Sequence, residues 1–323
     1  MVTVRIVYFG TPEFAVPGFE ALLESSHEVV ALVSQPDRPK GRGHKLQITP
    51  TKAVAEARGV PVLQPTKMKD PAFLAALTDL APDLGVVAAY GRILPDALLA
   101  IPRLGLINIH ASLLPKYRGA APVHRAVING DALTGVSIMR IVTELDAGPV
   151  FRIAMTPIGP DATTPEVERT LAALGAELLT PVVDDLATGS AVPVPQDDAL
   201  ATHANKIEKH EGAVQWDLPA IRIHNLVRGL QPWPLVSAVL DGARYQIHRT
   251  AVTDRATLEP PGSVLEADKG ELLAATGDGG ALRILVIQPE GKRPMAAHEF
   301  LAGHRVAPRS RFLSPTTAPP IRQ

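Results

Sequence analysis

The first half of the chain alternates short apolar runs with stretches of helical periodicity, and this alternation constrains the fold more than any other feature. The runs are nearly uninterrupted and rich in β-branched residues, which is typical of strands buried on both faces of a sheet. They cover Val4–Phe9, Val29–Val33, Val62–Leu63, Leu84–Ala89 and Leu106–Ile109. Helices are predicted at Glu13–Leu23, Thr51–Arg58, Pro71–Leu80, Pro95–Ala100 and Ala120–Asn129. Because such alternation builds parallel sheets with right-handed crossovers, we expect an α/β fold with a Rossmann-like, mostly parallel sheet.

Two more strands and a long helix follow this region. The strands are predicted at Thr134–Val142 and Val150–Thr156. Thr164 suits an N-cap and Pro165 the first helical position, and apolar residues then recur every three or four positions as far as Leu186. The helix is therefore predicted to stop before Gly189, a residue typical of helix ends.

The second half reads as a separate, smaller domain. Ala191–Thr202 holds two prolines and two aspartates without periodicity, which is typical of an extended linker. A helix is predicted at Leu218–Leu230, and the short strands after it favour a small, OB-like β-barrel. These strands are Leu235–Leu240, Tyr245–Val252, Ser263–Glu266, Leu272–Ala275 and Leu282–Gln288. The Pro-, Thr- and Ser-rich segment Pro308–Gln323 is expected to be loosely held.

These patterns predict four divisions of the 323 residues. A Rossmann-like catalytic domain spans 1–189, a linker 190–206, a barrel domain 207–314 and a tail 315–323.

Composition and missing motifs exclude several classes of chemistry. The chain has no cysteine, so disulfides, thiolate nucleophiles and Cys-ligated metals are impossible. The turn Gly10-Thr11-Pro12-Glu13-Phe14 holds one glycine where a nicotinamide dinucleotide site needs three, and no nucleotide phosphate loop occurs. The ten histidines follow no familiar metal-ligand spacing, and we expect no metal. With neither a long uncharged run nor a signal-peptide pattern, a cytoplasmic protein with no membrane partner is expected.

An amide and an imidazole mark the end of the fifth predicted strand. Asn108 and His110 are two positions apart, so both side chains point to the same side of the sheet. The carboxyl ends of parallel strands are where open α/β sheets bind ligands. The alternative is that both side chains only satisfy nearby backbone groups.

Asp146 adds a carboxylate in a tight Asp-Ala-Gly-Pro turn. In isolation, an aspartate there most often accepts hydrogen bonds from its own turn. Together, however, Asn108, His110 and Asp146 suit acyl transfer to an amine: the amide and imidazole stabilise an oxyanion, and the carboxylate orients the imidazole or helps to move a proton. A substrate amine can attack directly, which fits a chain without cysteine.

Several sequence blocks resemble the folate-dependent formyltransferases. They keep their order from residue 9 to residue 234 and include Phe9-Gly-Thr-Pro-Glu-Phe-Ala15, Gln35–Gly43, Asn108-Ile-His110, Ser112–Pro122, Leu145-Asp-Ala-Gly-Pro149, Lys206-Ile-Glu-Lys209, Arg228-Gly-Leu230 and Pro232-Trp-Pro234. The resemblance implies formyl transfer from 10-formyltetrahydrofolate to the α-amino group of methionine on initiator tRNA. It further implies that Asn108, His110 and Asp146 are catalytic and that Ser112, Leu113, Leu114 and Pro115 border the folate site.

A basic loop, Asp37–Lys52, carries five basic residues against one acid although the whole chain has a net charge of −1. By the same resemblance it approaches the acceptor end of tRNA, where its bases can contact phosphates. The predicted tRNA contacts are Arg38, Lys40, Arg42 and Lys45 in the loop and Lys206 and Lys209 in the second domain. A solvated loop without a partner is the alternative.

Three other functions remain open at this point. A sugar-nucleotide N-formyltransferase would share the Asn, His and Asp set, but the basic loop disfavours it. A non-catalytic tRNA-binding module fits the barrel and not the three catalytic positions. A nicotinamide-dependent dehydrogenase fits the sheet alone. We expect the chain to be a monomer.

Overall fold

The computed structural model describes residues 2–40, 45–307 and 309–315. Backbone contacts divide the chain into two compact units. The first unit holds residues 1–122, 133–157 and 168–205, and the second holds 123–132, 158–167 and 206–323.

The first unit is built on a seven-stranded sheet with helices between its strands. The strands of the whole unit, including short ones outside this sheet, are, in chain order, β1 (Arg5–Gly10), β2 (Glu28–Val33), β3 (Arg38–Lys40), β4 (Lys45–Gln47), β5 (Val62–Leu63), β6 (Leu84–Ala88), β7 (Leu106–His110), β8 (Arg118–Gly119), β9 (Leu133–Arg140), β10 (Val150–Pro157) and β11 (His203–Ala204). The helices of this unit are α1 (Val16–Leu23), α2 (Pro50–Ala57), α3 (Pro71–Asp79) and α4 (Asp96–Leu99). The next helix, α5 (Pro122–Asn129), belongs to the second unit from residue 123 onward, and α6 (Thr164–Thr188) belongs to the first unit from residue 168 onward.

The strand order of this sheet is β10-β9-β7-β6-β1-β2-β5. The five strands from β7 to β5 are parallel, whereas β9 and β10 are antiparallel additions at one side. The predicted Rossmann-like, mostly parallel sheet is therefore confirmed. Short pairs lie outside it: β3 with β4 and β8 with β11.

The predicted helices occur with small shifts at their starts. The first begins as a short 3-10 turn, Glu13–Ala15, and becomes α-helical only at Val16. The helix predicted from Ala120 begins instead at Pro122, because proline is tolerated only in the first turn, where its missing N–H has no intrahelical partner.

The parallel strands are buried, and their carboxyl ends meet at one edge. Every residue of β6 is buried, as are all but the first of β1. The last residue of β1 is glycine because a Cβ at position 10 would lie 2.7 Å from the Cβ of Ala15 and 2.8 Å from the Tyr8 ring. This close approach explains the single glycine of the first turn. The ends of β6 and β7 lie side by side, so Asn108 and His110 lie at the edge where open α/β sheets in general bind ligands.

The second unit contains an antiparallel sheet. Its strands and helices are β12 (Val236–Leu240), β13 (Ala243–Val252), β14 (Val264–Asp268), β15 (Glu271–Ala275), β16 (Ala281–Pro289), β17 (Met295–Ala296), α7 (Ala220–Gly229) and α8 (Ala297–Gly303). The order is β12-β13-β16-β15-β14, with β17 paired to β16. This is the architecture expected of the predicted small, OB-like barrel domain.

The segment after α8 corrects one expectation. Pro308–Gln323 was expected to be loosely held, yet its described part, residues 309–315, packs against the sheet. Leu313 bridges Val239 on β12, and Arg311 bridges Ser263 just before β14, so this segment joins the two ends of the strand order. Phe312 is 1% exposed and stacks on Trp216. The burial of this one aromatic ring holds the segment in place although its composition is typical of a loop. Residues 308 and 316–323 lie outside the described residues.

Residues 190–205 belong to the first unit. Val194 bridges Val150, and β11 pairs in parallel with β8. Within the described ranges, none of the helices combines the length and apolar character needed to cross a membrane.

The packing of residues 309–315 predicts a sharp contrast between two neighbouring residues. Phe312→Ala should lower the free energy of unfolding by about 3–5 kcal/mol, because it empties a buried ring site. Leu313→Ala should cost less than about 0.5 kcal/mol, because that side chain is 52% exposed. Urea unfolding followed by tryptophan fluorescence tests both, and equal losses would contradict this packing.

Candidate active site

Asn108 and His110 lie on β7, on the same side of the strand as predicted. The His110 side chain is buried at 5% exposure, whereas Asn108 is only partly buried. Among the described residues, no hydrogen bond engages the Asn108 side-chain amide. The amide therefore keeps its donors available beside a buried imidazole.

The two ring nitrogens of His110 face different groups. Nε2 lies 3.0 Å from the backbone carbonyl of Tyr117, and Nδ1 lies 3.7 Å from Oδ2 of Asp146. A carbonyl oxygen can only accept, so Nε2 carries a proton and donates it. Nδ1 is consequently the nitrogen left for chemistry, and the adjacent carboxylate compensates the charge when the ring is protonated.

The Asp146 carboxylate is held from outside its own turn. Its Oδ2 accepts a 2.8 Å hydrogen bond from the backbone N–H of Gly119. Asp146 has a φ of 50°, a backbone conformation that aspartate tolerates better than most residues. The Asp146 side chain therefore does not simply accept hydrogen bonds from its own turn. It contacts His110 and Gly119.

Sequence reasoning missed Gln196 and Arg118, which fix this arrangement. The Gln196 amide donates to the carbonyls of Asp146 and Gly148 at 2.8 and 2.7 Å. Buried Arg118 donates to Oε1 of Gln196 at 3.0 Å and to Asp198 at 2.6 Å. Gln196 and Asp198 lie within the predicted linker, where no motif marks them, so only the three-dimensional structure identifies their role.

The predicted folate segment forms a tight turn directly after His110. Ser112 donates from Oγ to the Lys116 carbonyl at 2.6 Å, and Ser137 donates to the Ser112 carbonyl at 2.8 Å. Leu114 is buried, and its N–H donates to the Ser137 hydroxyl at 3.1 Å. Leu113 and Pro115 remain partly exposed and provide an apolar surface next to the polar set.

The basic loop begins and ends in an antiparallel pair, β3 with β4. The Arg38 side chain is exposed, and its guanidinium lies 3.4 Å from Oε1 of Gln35. Arg42 lies outside the described residues, as do the side chains of Lys40 and Lys45.

Lys52, counted above with the bases of this loop, is instead committed to an ion pair. Its Nζ lies 2.5 Å from Oδ2 of Asp37 and 3.0 Å from Oε1 of Gln64. The Gln64 amide also donates to Asp37 at 2.9 Å. Partial burial raises the pKa of Asp37. The hydrogen bond and the charge of Lys52, together with the hydrogen bond from Gln64, outweigh this effect, so the pKa of Asp37 is lowered. The hydrogen bond to Asp37 raises the pKa of Lys52. The pair fastens the base of the loop to α2.

Lys206 and Lys209 belong to the second unit, and both are exposed. Within the described ranges neither ammonium forms an ion pair. No cluster of three potential metal-ligating side chains occurs in the same ranges.

Family models match most of the chain. A formyl transferase domain covers residues 4–183, and a formyl transferase C-terminal domain covers residues 206–305.

Similar proteins include two named methionyl-tRNA formyltransferase. The protein from Moorella thermoacetica is 44% identical over 304 residues, covering 94% of this chain and 97% of the relative. The protein from Methylococcus capsulatus is 46% identical over 303 residues, covering 94% and 98%.

Solved structures share the fold at low identity. The sugar 3N-formyl transferase WlaRD, solved with dTDP and 5-N-formyl-THF, has a TM-score of 0.66 at 14% identity and covers 91% of this chain and 100% of its own. HypX from Aquifex aeolicus, in complex with tetrahydrofolic acid, has a TM-score of 0.66 at 18% identity and covers 95% of this chain and 49% of its own.

The Tyr117 contact predicts the tautomer of His110. In its neutral form the ring should carry its proton on Nε2, because the carbonyl requires a donor. Nitrogen chemical shifts of 15N-histidine-labelled protein measure this, with His110→Gln as the control that assigns the signals. A proton on Nδ1 of the neutral ring would contradict the geometry.

The ion pair at the base of the loop predicts a pH response. The lowered pKa of Asp37 means that its stabilising contribution is present above its ordinary value of 3.8 and is lost as the pH falls through the lowered value. Lys52→Met should raise the pKa of Asp37, measured by carboxyl NMR titration. Lys69→Met removes the same charge from an exposed position and should leave that pKa unchanged; equal responses would refute the pairing.

Proposed function

This chain belongs to the formyl transferase family, and we propose that it transfers the formyl group of 10-formyltetrahydrofolate to the α-amino group of methionine on initiator methionyl-tRNA. The observation that carries the proposal is the arrangement around His110: Nε2 is held by the Tyr117 carbonyl, and Asp146 faces Nδ1. Asn108 lies two residues before His110 on the same side of β7, and no hydrogen bond among the described residues engages its amide. The relatives with this named activity share 44–46% of their residues with the chain over 94% of its length.

The residues of the site fit a folate formyl donor. The donor supplies an activated formyl group, and the partly exposed Leu113 and Pro115 offer an apolar surface beside the polar set. We propose that Ser112, Leu113, Leu114 and Pro115 border this co-substrate. Ser112 and Leu114 act through the shape of the turn, since their polar groups are engaged within it.

Three side chains divide the catalytic work in this proposal. As the neutral methionyl amine attacks the formyl carbon, a new C–N bond forms, negative charge develops on the formyl oxygen, and the Asn108 amide donates to it. The intermediate then collapses by breaking the bond between the formyl carbon and N10 of the folate, and the proton lost by the amine passes to N10 of the departing tetrahydrofolate. Nδ1 of His110 is the second donor when the ring is protonated, because Nε2 is committed to Tyr117. Asp146 holds the charged ring and assists the removal of a proton from the methionyl ammonium, which makes the amine neutral and able to attack.

The tRNA contacts are proposed on both units. Arg38, Lys40, Arg42 and Lys45 of the loop approach the acceptor end, where guanidinium and ammonium groups bind phosphates. Lys206 and Lys209 contribute from the second unit. The exposure of Arg38, Lys206 and Lys209 supports their part of the proposal.

We keep the division into a catalytic domain (1–189), linker (190–206), barrel (207–314) and tail (315–323) as a proposal. The separate family matches at 4–183 and 206–305 support two functional parts. We further propose that the protein is a monomer and that it acts in the cytoplasm, where charged initiator tRNA is used.

A sugar-nucleotide N-formyltransferase is the second candidate, because solved enzymes acting on amino sugars share the fold. Their identities of 14–16% are far below those of the methionyl-tRNA formyltransferases. Side-by-side assays with 10-formyltetrahydrofolate should show formylation of initiator Met-tRNA and none of an amino-sugar nucleotide. Elongator Met-tRNA is the specificity control. Formylation of the sugar alone would reverse the assignment, and tRNA binding without any transfer would leave a binding module.

Removing either polar partner of the reaction should act on the chemical step. Asn108→Ala should lower kcat by about 10²- to 10³-fold, the usual effect of losing an oxyanion donor, with KM for both substrates little changed. Asp146→Asn should lower kcat by about 10²-fold or more. Steady-state kinetics test both, with Asp79→Asn at an exposed position of α3 as the charge-matched control. Near-normal turnover in either variant would remove that residue from the catalytic set.

A further inference from the structure

The second unit contains a cavity of about 280 Å³ that the proposed catalytic set does not use. It lies between α7 and β13, next to the segment around Asp161 and Thr163. Its lining includes two guanidinium groups, Arg228 and Arg249, and only one carboxylate, Asp161.

Arg228 is a buried cation whose hydrogen-bond acceptors are all uncharged. Arg228 lies on α7 and is only 5% exposed. Nε donates to Oδ1 of Asn225 at 2.8 Å, and Nη1 donates to the carbonyls of Ala162 and Gly159 at 2.9 and 3.3 Å. All three acceptors are neutral. Among the described residues, Arg228 forms no ion pair and Nη2 has no hydrogen-bond acceptor.

A buried charge that is surrounded by neutral acceptors keeps a strong attraction for an anion, because burial removes it from water without compensating it. Burial lowers the pKa of Arg228, and the charge of the Asp161 carboxylate offsets this only in part, without forming an ion pair with the guanidinium. This carboxylate is 77% exposed and lies 3.4 Å from Nε2 of His224. The cavity therefore retains an unsatisfied positive charge.

The other polar groups of the cavity separate into committed and available ones. The His224 ring is committed, with Nδ1 3.0 Å from the Thr250 hydroxyl and Nε2 3.0 Å from the Pro160 carbonyl. His248 is engaged by Gln288 at 2.7 Å. Arg249 is exposed and forms no ion pair in the described ranges. Arg228 and Arg249 are thus the two cations that a ligand can reach.

We propose that this cavity binds one phosphate group of the tRNA backbone, between Arg228 and Arg249. The guanidinium fork matches the oxygens of a phosphate, and this match is why arginine is favoured at phosphate sites. A volume of about 280 Å³ takes a phosphate with its sugar and not a larger segment of nucleic acid. The proposal rests on the proposed function, because that function supplies a polyanion as the acceptor. Among the many basic residues of the second unit, the proposal assigns this phosphate contact to Arg228 and Arg249 alone.

The test measures tRNA binding to the full chain without turnover, as a function of salt concentration. Arg249→Gln should weaken binding about tenfold and lower the slope of log K against log salt by about 1, the signature of one lost phosphate contact. Arg293→Gln removes the same charge from an exposed turn of the same unit, outside the cavity, and should change neither quantity. Equal effects of the two variants, or none for Arg249→Gln, would overturn the proposal.

Free phosphate is the other source of the same chemistry, and a second arm distinguishes it. Inorganic phosphate titrated to millimolar levels should compete with tRNA in the wild-type chain and much less in Arg249→Gln. Phosphate binding that depends on Arg249 without any effect on tRNA affinity would assign the cavity to a free anion and overturn the tRNA contact. Formylation by the wild-type chain reports on the proposed function separately. A chain that formylates Met-tRNA and fails these binding tests loses only this inference.

Discussion

The buried imidazole of His110 is the constraint on which the first unit depends, because both of its ring nitrogens need polar partners away from water. One partner, the Tyr117 carbonyl, comes from the turn after β7, and the other, Asp146, comes from the connection between β9 and β10. Neither is adjacent in sequence to His110. The strand end, the turn and the connection must therefore adopt one arrangement together.

That requirement extends to residues far from the reacting groups. The Gln196 amide holds the carbonyls of Asp146 and Gly148, and Gln196 is itself held by Arg118, whose charge is balanced by Asp198. The chain thus returns at residues 194–204, through the Val194 bridge and β11, to fasten the loops of the site. A segment with the composition of a linker stabilises the candidate active site.

Sequence predicted what depends on local periodicity. The alternation of strands and helices indicated the parallel sheet, and the two-residue repeat of a strand placed Asn108 and His110 on one side. It did not predict Gln196 or Arg118, because their partners lie about 50 to 80 residues away and no spacing encodes such contacts. The burial of Phe312 was not predicted because its neighbours in sequence have a loop-like composition, whereas the packing depends on this one buried ring.

Charge shows the same limit of local reasoning. A net charge of −1 disfavours a polyanion partner when it is read for the whole chain, yet binding depends on where charges are left unpaired. The Lys52–Asp37 pair removes one base and one acid from the loop, so the net charge of that segment is unchanged while its remaining bases lie from Arg38 to Lys45. Arg228 is the converse case, a buried base that forms no ion pair in the described part of the chain and that the exposed Asp161 carboxylate neutralises only in part. A few such cations suit a substrate that must be released after each turnover, since uniformly strong electrostatic binding would slow its departure.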